Sequence, residues 1–559
     1  MSIQSEKSWT VFVARLAGWL VFLGMLAGAL PSAGQGWEPT PQQSLDAVKW
    51  IAEAQADDPD ADINGDGRVT LADFNALVAS WTDEPVDGPT DEPTDDTNGD
   101  GGNDPPQTET GWTDLTPPSD AVVLYVATNG TNSNDGLSEE TPILTLAEGL
   151  RRLRDGYPDH LLLRRGDTFN DSLGSWSKSG RSKTEKMVVG AYGDLSKPRP
   201  VINTGTSRPL SMIKNDRRAH LAFVSLEFVP GTPYRHGGIS LTAGGVEDIL
   251  FEDVKIAWYV NGISMNGTLK DIVIRRCVLA DNAGVFRSNA IYAEGVDGLL
   301  IEENIVDRNG WREDLGRDVS ANAQNHNIYI QRGVTGVEVR NNIIARASSH
   351  ALQIRSGGDV HGNLFLNNPI SLLYGNEGNK PNEIAVFGEI SDNVVLGSND
   401  LSSSERRRWG VQVMNSGDVK MLRNVIAAPS EYTGSRAVLL SHSSDNADND
   451  NLVIEGNAIS GFETPLLIGA DDVKSIVVEG NQFAGGGELP RVDGVQYRGN
   501  TSLPGALGPG LIDFVDDELS ISVEAYFDRL RDQRRGNWDP ELHAAAAAAW
   551  FQGVYGVGG

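Results

Sequence analysis

The chain has 559 residues and a formal net charge of −31 at pH 7. Such an acidic surface argues against a nucleic-acid partner, because binding to phosphates needs a basic face. The sequence contains a single cysteine, Cys277, so no disulfide can form within the chain. We expect this small residue to be packed in the interior.

The first 33 residues have the pattern of an export signal. Lys7 and Arg15 precede an apolar run from Leu16 to Leu30, and small residues follow this run. The run is shorter than the roughly 20 residues that span a membrane. We therefore predict a secreted or cell-surface protein, attached to a membrane only if the apolar run is left uncleaved.

Residues 37–81 contain a candidate calcium loop between two segments with helical spacing. A twelve-residue calcium loop needs oxygen ligands at positions 1, 3, 5, 7, 9 and 12, and a glycine at position 6. The residues at these ligand positions are Asp62, Asn64, Asp66, Arg68, Thr70 and Asp73. Gly67 stands at the turn, and Arg68 would offer its main-chain carbonyl oxygen. We predict that this loop binds calcium.

This stretch resembles the dockerin modules of secreted carbohydrate-active proteins, whose calcium loops also end in Asp. Dockerins carry two loops, whereas this chain has one good copy; the acidic stretch at 96–107 has no apolar residue at position 8. The resemblance implies a small module stabilised by calcium, with weak docking to a protein partner as a further expectation.

Residues 82–111 are rich in Pro, Asp, Thr and Gly and contain almost no large apolar residue. A segment of this composition cannot bury enough surface to fold, and its negative charges repel one another. We predict an extended acidic linker here, and with it the main domain boundary of the chain.

From about residue 112 to 503, the sequence repeats a short motif of alternating apolar residues. Most copies contain an Asn, and we call the motif the Asn phrase. The phrase recurs about every 27 residues. Its equivalent positions are Leu226, Val254, Cys277, Asn304, Asn342, Asn363, Asn393, Asn424, Asn457, Asn481 and Asn500. Short strands that repeat at this spacing indicate a β-solenoid, whose coils bury a shared core by stacking. We interpret the repeated Asn as structural, with side chains hydrogen-bonded along the solenoid axis.

The beginning of this region carries a second resemblance. The stretches 125–136, 141–146 and 165–169 look like the opening of right-handed parallel β-helix proteins of the pectate-lyase-like superfold. The resemblance implies a mainly β fold, a right-handed parallel β-helix, and a polysaccharide as the partner. We expect a strand at 121–127, a short helix at 145–153 and a strand at 160–164 around the first coil, whose open edge needs a cover.

After residue 503 the strand period is lost. The segments 523–534 and 540–551 favour helices, separated by Gly536 and Pro540. We predict a helical C-terminal cap over residues 504–559 that covers the far end of the solenoid.

Each full repeat has another strand before the Asn phrase. Alternation along these strands directs Ile291, Ile328 and Leu352 inward and the residues between them outward. Stacking then places Ser264, Tyr292, Tyr329 and Gln353 in one outer column, and Asn266, Glu294, Gln331 and Arg355 in the next. His326 and His350 precede their strands at equal offsets, so we expect them to be neighbours. The long insertion before His326 carries Trp311, and insertions of this kind are typical of a binding face.

These outer residues suit a polysaccharide, which offers hydroxyl groups and flat apolar ring faces. β-Elimination on a uronic acid needs a group that neutralises the carboxylate, a base for the C5 proton and an acid for the leaving oxygen. The candidate catalytic residues are His326, His350, Arg355, Tyr329 and Glu294. The candidate substrate-binding residues are Tyr292, Gln331, Gln353 and Trp311. Calcium held by Glu294 and its neighbours is an alternative neutralising group.

Three functions are therefore considered. A lyase that acts on a uronate-containing polysaccharide is favoured over the others. The second is a glycan-binding or adhesion protein without catalysis. The third is a glycoside hydrolase, which needs two carboxylates about 5–10 Å apart; Glu294 with Asp314 or Asp318 would supply them.

Overall fold

A computed structural model describes residues 111–557, apart from 214–216, 243, 316–321, 377–384, 403–404, 429–432, 441–448, 470–472, 485–488 and 504–507. The predicted signal segment, the calcium module and nearly all of the linker lie outside the described residues. The described strands pair in parallel and stack coil on coil into three long faces, which we call faces A, B and C. The predicted mainly β solenoid is confirmed.

Face A holds the strands that precede each Asn phrase. Its strands are Gly174–Ser175, Leu210–Met212, Ile239–Leu241, the first parts of Ile263–Arg275 and Asn289–Glu302, His326–Ile330, His350–Ile354, Ile370–Gly375, Trp409–Met414, Arg436–Leu440 and Thr464–Ile468. The alternation of side chains along these strands buries Ile291, Ile328 and Leu352 in the core, as predicted.

Face B holds the first half of the Asn phrase. Its strands are Val123–Val126, His160–Arg164, Met187–Tyr192, Arg218–Val224, Val246–Glu252, the second parts of Ile263–Arg275 and Asn289–Glu302, Thr335–Arg340, Asp359–His361, Val386–Ser391, Ser416–Leu422, Leu452–Glu455, Ile476–Glu479 and Val495–Arg498. The predicted first strands lie on this face. A short helix, α1 (Leu146–Arg152), buries Leu146 against the first coil, and the side chain of Thr145 caps its start.

Face C holds the residues that follow the Asn. Its strands are Thr168–Asn170, Val201–Asn203, Glu227–Val229, Lys255–Ala257, Val278–Ala280, Ile305–Asp307, Ile343–Ala345, Leu364–Asn368, Val394–Ser398, Val425–Ala427, Ala458–Ser460, Gln482–Ala484 and Thr501–Leu503. A separate pair, Asn449–Asp450 with Val473–Lys474, lies outside the three faces. One apolar core between the faces extends from Leu124 to Phe483.

The repeated Asn residues form a continuous ladder at the corner between faces B and C. From Asn304 to Asn500, each side-chain Nδ2 donates to the Oδ1 of the next Asn at 2.8–3.0 Å. Each of these Oδ1 atoms also accepts the main-chain N–H of the preceding Asn. Cys277 continues the row toward the N terminus and is buried, with its N–H donated to Asn304. The structural interpretation of the Asn is confirmed.

The turn at this corner needs a left-handed residue just before the Asn. Glu303, Asn341, Asp392 and Arg423 have φ between 52° and 56°, and Gly456 takes the same place with φ of 65°. The Asn side chain compensates for the cost of this turn by satisfying main-chain groups that no strand can reach.

A shorter ladder, absent from the sequence predictions, lies at the corner between faces C and A. Asn282 donates to Asn309 at 3.0 Å, and Asn309 donates to Asn327 at 2.9 Å. This shorter ladder links three successive coils. The long insertion lies between Asn309 and Asn327, and its described part includes the 3₁₀ turn Glu313–Leu315.

The C-terminal helices are present, but the predicted position over the far end is wrong. Helices α2 (Leu511–Asp517), α3 (Val523–Arg531) and α4 (Ala544–Tyr555) and the 3₁₀ turn Pro540–Leu542 pack along the outer side of face C. The physical reason is that face C is apolar on its outer side as well, from Val278 to Ala458, and this surface needs a cover.

Charged contacts fix these helices along the solenoid. Arg531 pairs with Asp281 at 2.9 Å and with Asp307 at 2.5 Å, and both carboxylates are buried. The segment reaches early coils, where Arg199 donates to the Gln533 carbonyl, and late coils, where Gln552 donates to Asp392. The C-terminal region therefore packs along the side of the solenoid and contacts many of its coils.

We expect Asn393→Ala to lower the free energy of unfolding by about 3 kcal/mol, because the substitution leaves buried donors and acceptors on Asn363, Asn424 and Val360 without partners. Chemical denaturation measures this change. Asn170→Ala, at an exposed position on face C, is the matched control and should change stability by less than about 0.5 kcal/mol. Equal stability of the two variants would contradict the role of the ladder.

Candidate functional site

The predicted outer column on face A is present in the strand register. Ser264 pairs with Tyr292, Tyr292 with Tyr329, and Tyr329 with Gln353. In the neighbouring column, Asn266 pairs with Glu294, and the main-chain N–H of Gln331 donates to the Ala293 carbonyl in the adjoining coil. The structure therefore brings eight of the predicted residues together on three consecutive coils. We call this group the face A patch; its members are Tyr292, Glu294, His326, Tyr329, Gln331, His350, Gln353 and Arg355.

The two histidines of the patch are neighbours, with their rings tilted by 31° to each other. His326 pairs with His350 in the register, and their ring centroids are 4.8 Å apart. The Nδ1 of His326 lies 3.1 Å from the Oδ1 of Asn289, and the Nδ1 of His350 lies 2.9 Å from the Ser349 hydroxyl. Their exposed fractions are only 3% and 9%. Hydrogen bonds and burial thus fix both rings in position.

Burial keeps both imidazoles neutral. It lowers the pKa of His326 to about 3, although a hydrogen bond to Gln353 opposes this change. Burial also lowers the pKa of His350 well below its ordinary value, and the positive charges of Arg407 and Arg355 add to the effect. The pair therefore carries no positive charge at pH 7, and each ring keeps one nitrogen that can accept a proton.

Tyrosine and carboxylate form the other half of the patch. The Tyr292 hydroxyl donates to the Oε2 of Glu294 at 2.6 Å, and the Tyr292 ring meets Tyr329 edge-on at 5.6 Å. Burial, followed by the hydrogen bond to Glu294, raises the pKa of Tyr292. Tyr292 therefore holds its proton at neutral pH and can act as a proton donor.

Arg355 places a positive charge beside these aromatic rings. Its guanidinium carbon lies 5.4 Å from the ring centroid of Tyr329. The Tyr329 ring in turn contacts the His326 ring in a tilted arrangement, with 4.9 Å between the centroids. Gln353, in the first column, is buried, whereas Gln331 and Arg355, in the second, are partly exposed. The patch thus offers a cation, neutral rings and hydrogen-bonding side chains to a ligand on its outer side.

Trp311 lies at the corner between faces C and A. Its indole Nε1 donates to the Arg346 carbonyl at 2.9 Å, just after a face C strand. The preceding Gly310 packs against Ser348 and Asn325, where a Cβ atom would clash. The insertion therefore begins beside the start of the patch strands, and substrate binding by Trp311 stays a prediction.

The calcium ligands predicted between Asp62 and Asp73 lie outside the described residues, so calcium binding stays a prediction. Within the described residues, no group of three or more His, Cys, Asp or Glu side chains could hold a metal ion. The alternative calcium site around Glu294 stays a prediction as well, since calcium also takes main-chain and amide oxygens as ligands. None of the helices described is long and apolar enough to cross a membrane.

The sequence predictions missed one group on the same face. Trp409 begins a face A strand two coils beyond His350, with Arg407 and Arg436 beside its ring. The signal was available, because the starts of successive face A strands form a column that runs from His326 through His350 and Ile370 to Trp409.

Comparisons with known proteins agree with the architecture. Residues 232–385 match the family model described as "Right handed beta helix region". The matched range includes the face A patch. No curated protein sequence matches the chain significantly.

Several solved structures resemble the chain at low levels of similarity. The complex of XylC with xylose is 10% identical, covers 67% of this chain and 86% of its own, and has a TM-score of 0.45. The alginate lyase from Paenibacillus sp. str. FPU-7 is 14% identical, covers 54% and 96%, and has a TM-score of 0.36. Pectate lyase Pel9A is 12% identical, covers 72% and 84%, and has a TM-score of 0.35. Similarities this low do not define the activity of the chain.

We predict that stability falls as the pH drops from 6.5 toward 4.5. An unfolded histidine takes up a proton near its ordinary pKa of 6.5, whereas folded His326 resists protonation down to about 3. Below pH 6.5 the unfolded state therefore binds more protons, and the free energy of unfolding decreases. Urea denaturation across this pH range measures the slope.

Replacing both residues, His326→Gln with His350→Gln, should make this slope shallower, while His160 and His543, whose pKa values burial also lowers, retain a part of it. Tyr329→Phe is the matched control in the same patch and should leave the slope unchanged. An identical slope in the double variant would show that the two histidines are not buried as described.

Proposed function

We propose that this protein is a secreted carbohydrate-active enzyme that binds a uronate-containing polysaccharide on face A and cleaves it by β-elimination. The observation that carries the proposal is the face A patch, where a cation, two neutral imidazoles and a protonated tyrosine meet on three adjacent coils. These are the group types that the three steps of β-elimination require.

Arg355 is proposed to bind the uronate carboxylate. A guanidinium can form two parallel hydrogen bonds to a carboxylate, and neutralising its charge makes the C5 proton of the sugar more acidic. Gln331, also partly exposed in this column, would bind a neighbouring hydroxyl group. The substrate carboxylate would thereby be fixed over the stacked rings of the patch.

His350 is the favoured base, since it is the more exposed histidine. A carboxylate substrate brings negative charge beside the imidazole, which raises the pKa of His350 toward the working pH. His350 takes the C5 proton, the C4–C5 double bond forms and the C4–O bond breaks. Tyr292 then gives its proton to the leaving oxygen, and Glu294 orients the Tyr292 hydroxyl through their hydrogen bond.

A glycoside hydrolase is less well supported. Glu294 is the only carboxylate on the three strand segments of the patch, residues 289–294, 326–331 and 350–355. Arg312 pairs with Asp314 at 2.7 Å and lowers the pKa of Asp314, which is the opposite of what a general acid requires. Asp318, the other candidate partner, lies outside the described residues.

To test the lyase, the full chain is incubated with polysaccharides that do or do not contain uronic acid. We expect unsaturated sugar ends, detected by ultraviolet absorbance, with uronate polymers only. Tyr292→Phe should lower kcat/KM by about 100-fold or more, because the proton donor is lost. Arg355→Gln should do the same through loss of the neutralising charge.

Two matched controls keep this experiment specific. Tyr157→Phe and Arg498→Gln change exposed residues away from face A and should leave kcat/KM unchanged. New reducing ends without unsaturation would favour the hydrolase. Retention on the polysaccharide with neither product would refute both enzymes and favour the glycan-binding alternative.

We further propose that the loop from Asp62 to Asp73 binds one calcium ion, through the ligand spacing described above. Dialysis of the full chain against radioactive calcium should give one bound ion, and Asp62→Ala with Asp66→Ala should remove it. Substitution of Asp83 and Asp87 by Ala, in the acidic linker, is the control and should leave the stoichiometry at one. Full binding after loss of both loop aspartates would show that calcium binds elsewhere.

A further inference from the structure

Face A carries a second group of side chains beyond the patch. The register pairs His350 with Ile370 and Ile370 with Trp409. Trp409 therefore lies two coils beyond His350, in the column formed by the starts of the face A strands. Successive coils are about 4.8 Å apart, which puts Trp409 about 10 Å from His350 along the solenoid axis. The two groups therefore share one surface.

Two guanidinium groups stand beside the Trp409 ring. The guanidinium carbon of Arg407 lies 5.1 Å from the ring centroid, and that of Arg436 lies 5.7 Å from it. Arg407 forms an ion pair with Glu405. Arg436 pairs with Trp409 in the register, and among the residues described it forms no ion pair with a carboxylate.

Buried apolar side chains support the Trp409 ring from beneath. Ile370, Leu373 and Met414 are buried together, and Trp409 packs partly against them while part of its surface stays exposed. The indole is therefore fixed against its own coil and the preceding coil, and its remaining surface faces solvent. A fixed aromatic ring with two guanidinium groups within cation–π distance of it is a preorganised arrangement for a ligand.

We propose that Trp409, Arg407 and Arg436 form a binding subsite for a sugar ring that carries an anionic group. The apolar C–H face of a pyranose contacts the indole, and a carboxylate or sulfate accepts hydrogen bonds from the guanidinium groups. This subsite rests on the proposed function, because it extends the same surface. It adds a requirement for negative charge at a second position, two coils from His350.

Charge distribution gives the proposal independent support. The chain carries a net charge of −31, so the chain as a whole repels a polyanion, and binding needs local positive charge. Face A carries three cations, with Arg355 just after the end of its strand and Arg407 and Arg436 at the starts of later strands. The charges of Arg407 and Arg355 both act on His350, which links the two groups electrostatically. A polyanionic chain would thus be guided along the solenoid axis over both groups.

The test measures binding by calorimetry to the full chain, with oligosaccharides of two and of six units. Three hexamers are compared: a uronate hexamer, the same hexamer with its carboxyl groups reduced, and a sulfated neutral hexamer. Trp409→Ala should weaken binding of the preferred anionic hexamer by about tenfold. Trp409→Phe, which keeps an aromatic ring and guards against misfolding, should retain most of the affinity.

Arg436→Gln should weaken binding of the anionic hexamer by about tenfold and leave binding of the reduced hexamer unchanged. Arg498→Gln on face B is the matched control and should bind every ligand like the wild type. The gain in affinity from dimer to hexamer should disappear in Trp409→Ala. Preference for the uronate or for the sulfated hexamer identifies the anionic group, and either preference supports the subsite.

The inference is overturned if the wild type binds no hexamer, if the reduced hexamer binds equally well, or if Trp409→Ala and Arg436→Gln bind like the wild type. Its failure is distinguishable from failure of the lyase. Unsaturated products with unchanged hexamer affinity in both variants would refute the subsite alone. Binding that depends on Trp409, without any product, would refute the lyase alone.

Discussion

The structure depends on one constraint, the hydrogen-bonded row of Asn side chains between faces B and C. Each Asn both donates to and accepts from its neighbours, so a coil cannot slip by one residue without leaving buried amide groups unpaired. A slip of one residue would also reverse the inward and outward sides of every strand. The ladder therefore adds to the constraint that burial of the apolar core already places on the register.

Function on such a scaffold arises from what the register places side by side. Tyr292, Tyr329 and Gln353 are far apart in sequence but adjacent on face A, because their coils are held in step. The same register carries the column of His326 and His350 onward to Trp409 and Arg436. A repetitive polymer and a repetitive protein surface suit each other, since neighbouring sugar units can meet equivalent positions on successive coils.

The sequence was sufficient for the solenoid and for the columns, because both follow from a period of two within strands and from the repeated Asn. It was insufficient for the burial of His326 and His350, since their neutral state depends on packing against residues of other coils, such as Asn289 and Gln353 beside His326. The position of the C-terminal helices was wrong because helical patterns do not specify which surface they cover. The three-residue strands that contain Ile305 and Ile343 carry apolar side chains on both their inner and outer sides. This pattern could have predicted that the outer side of face C is covered by other elements.

The most direct measurement for the central claim is a crystal structure of the full chain with a bound uronate hexamer. The account predicts sugar density on the outer side of face A, with a carboxylate at Arg355, a ring against Trp409 and the chain parallel to the solenoid axis. Density on face B, or on face A but across the coils, would contradict it.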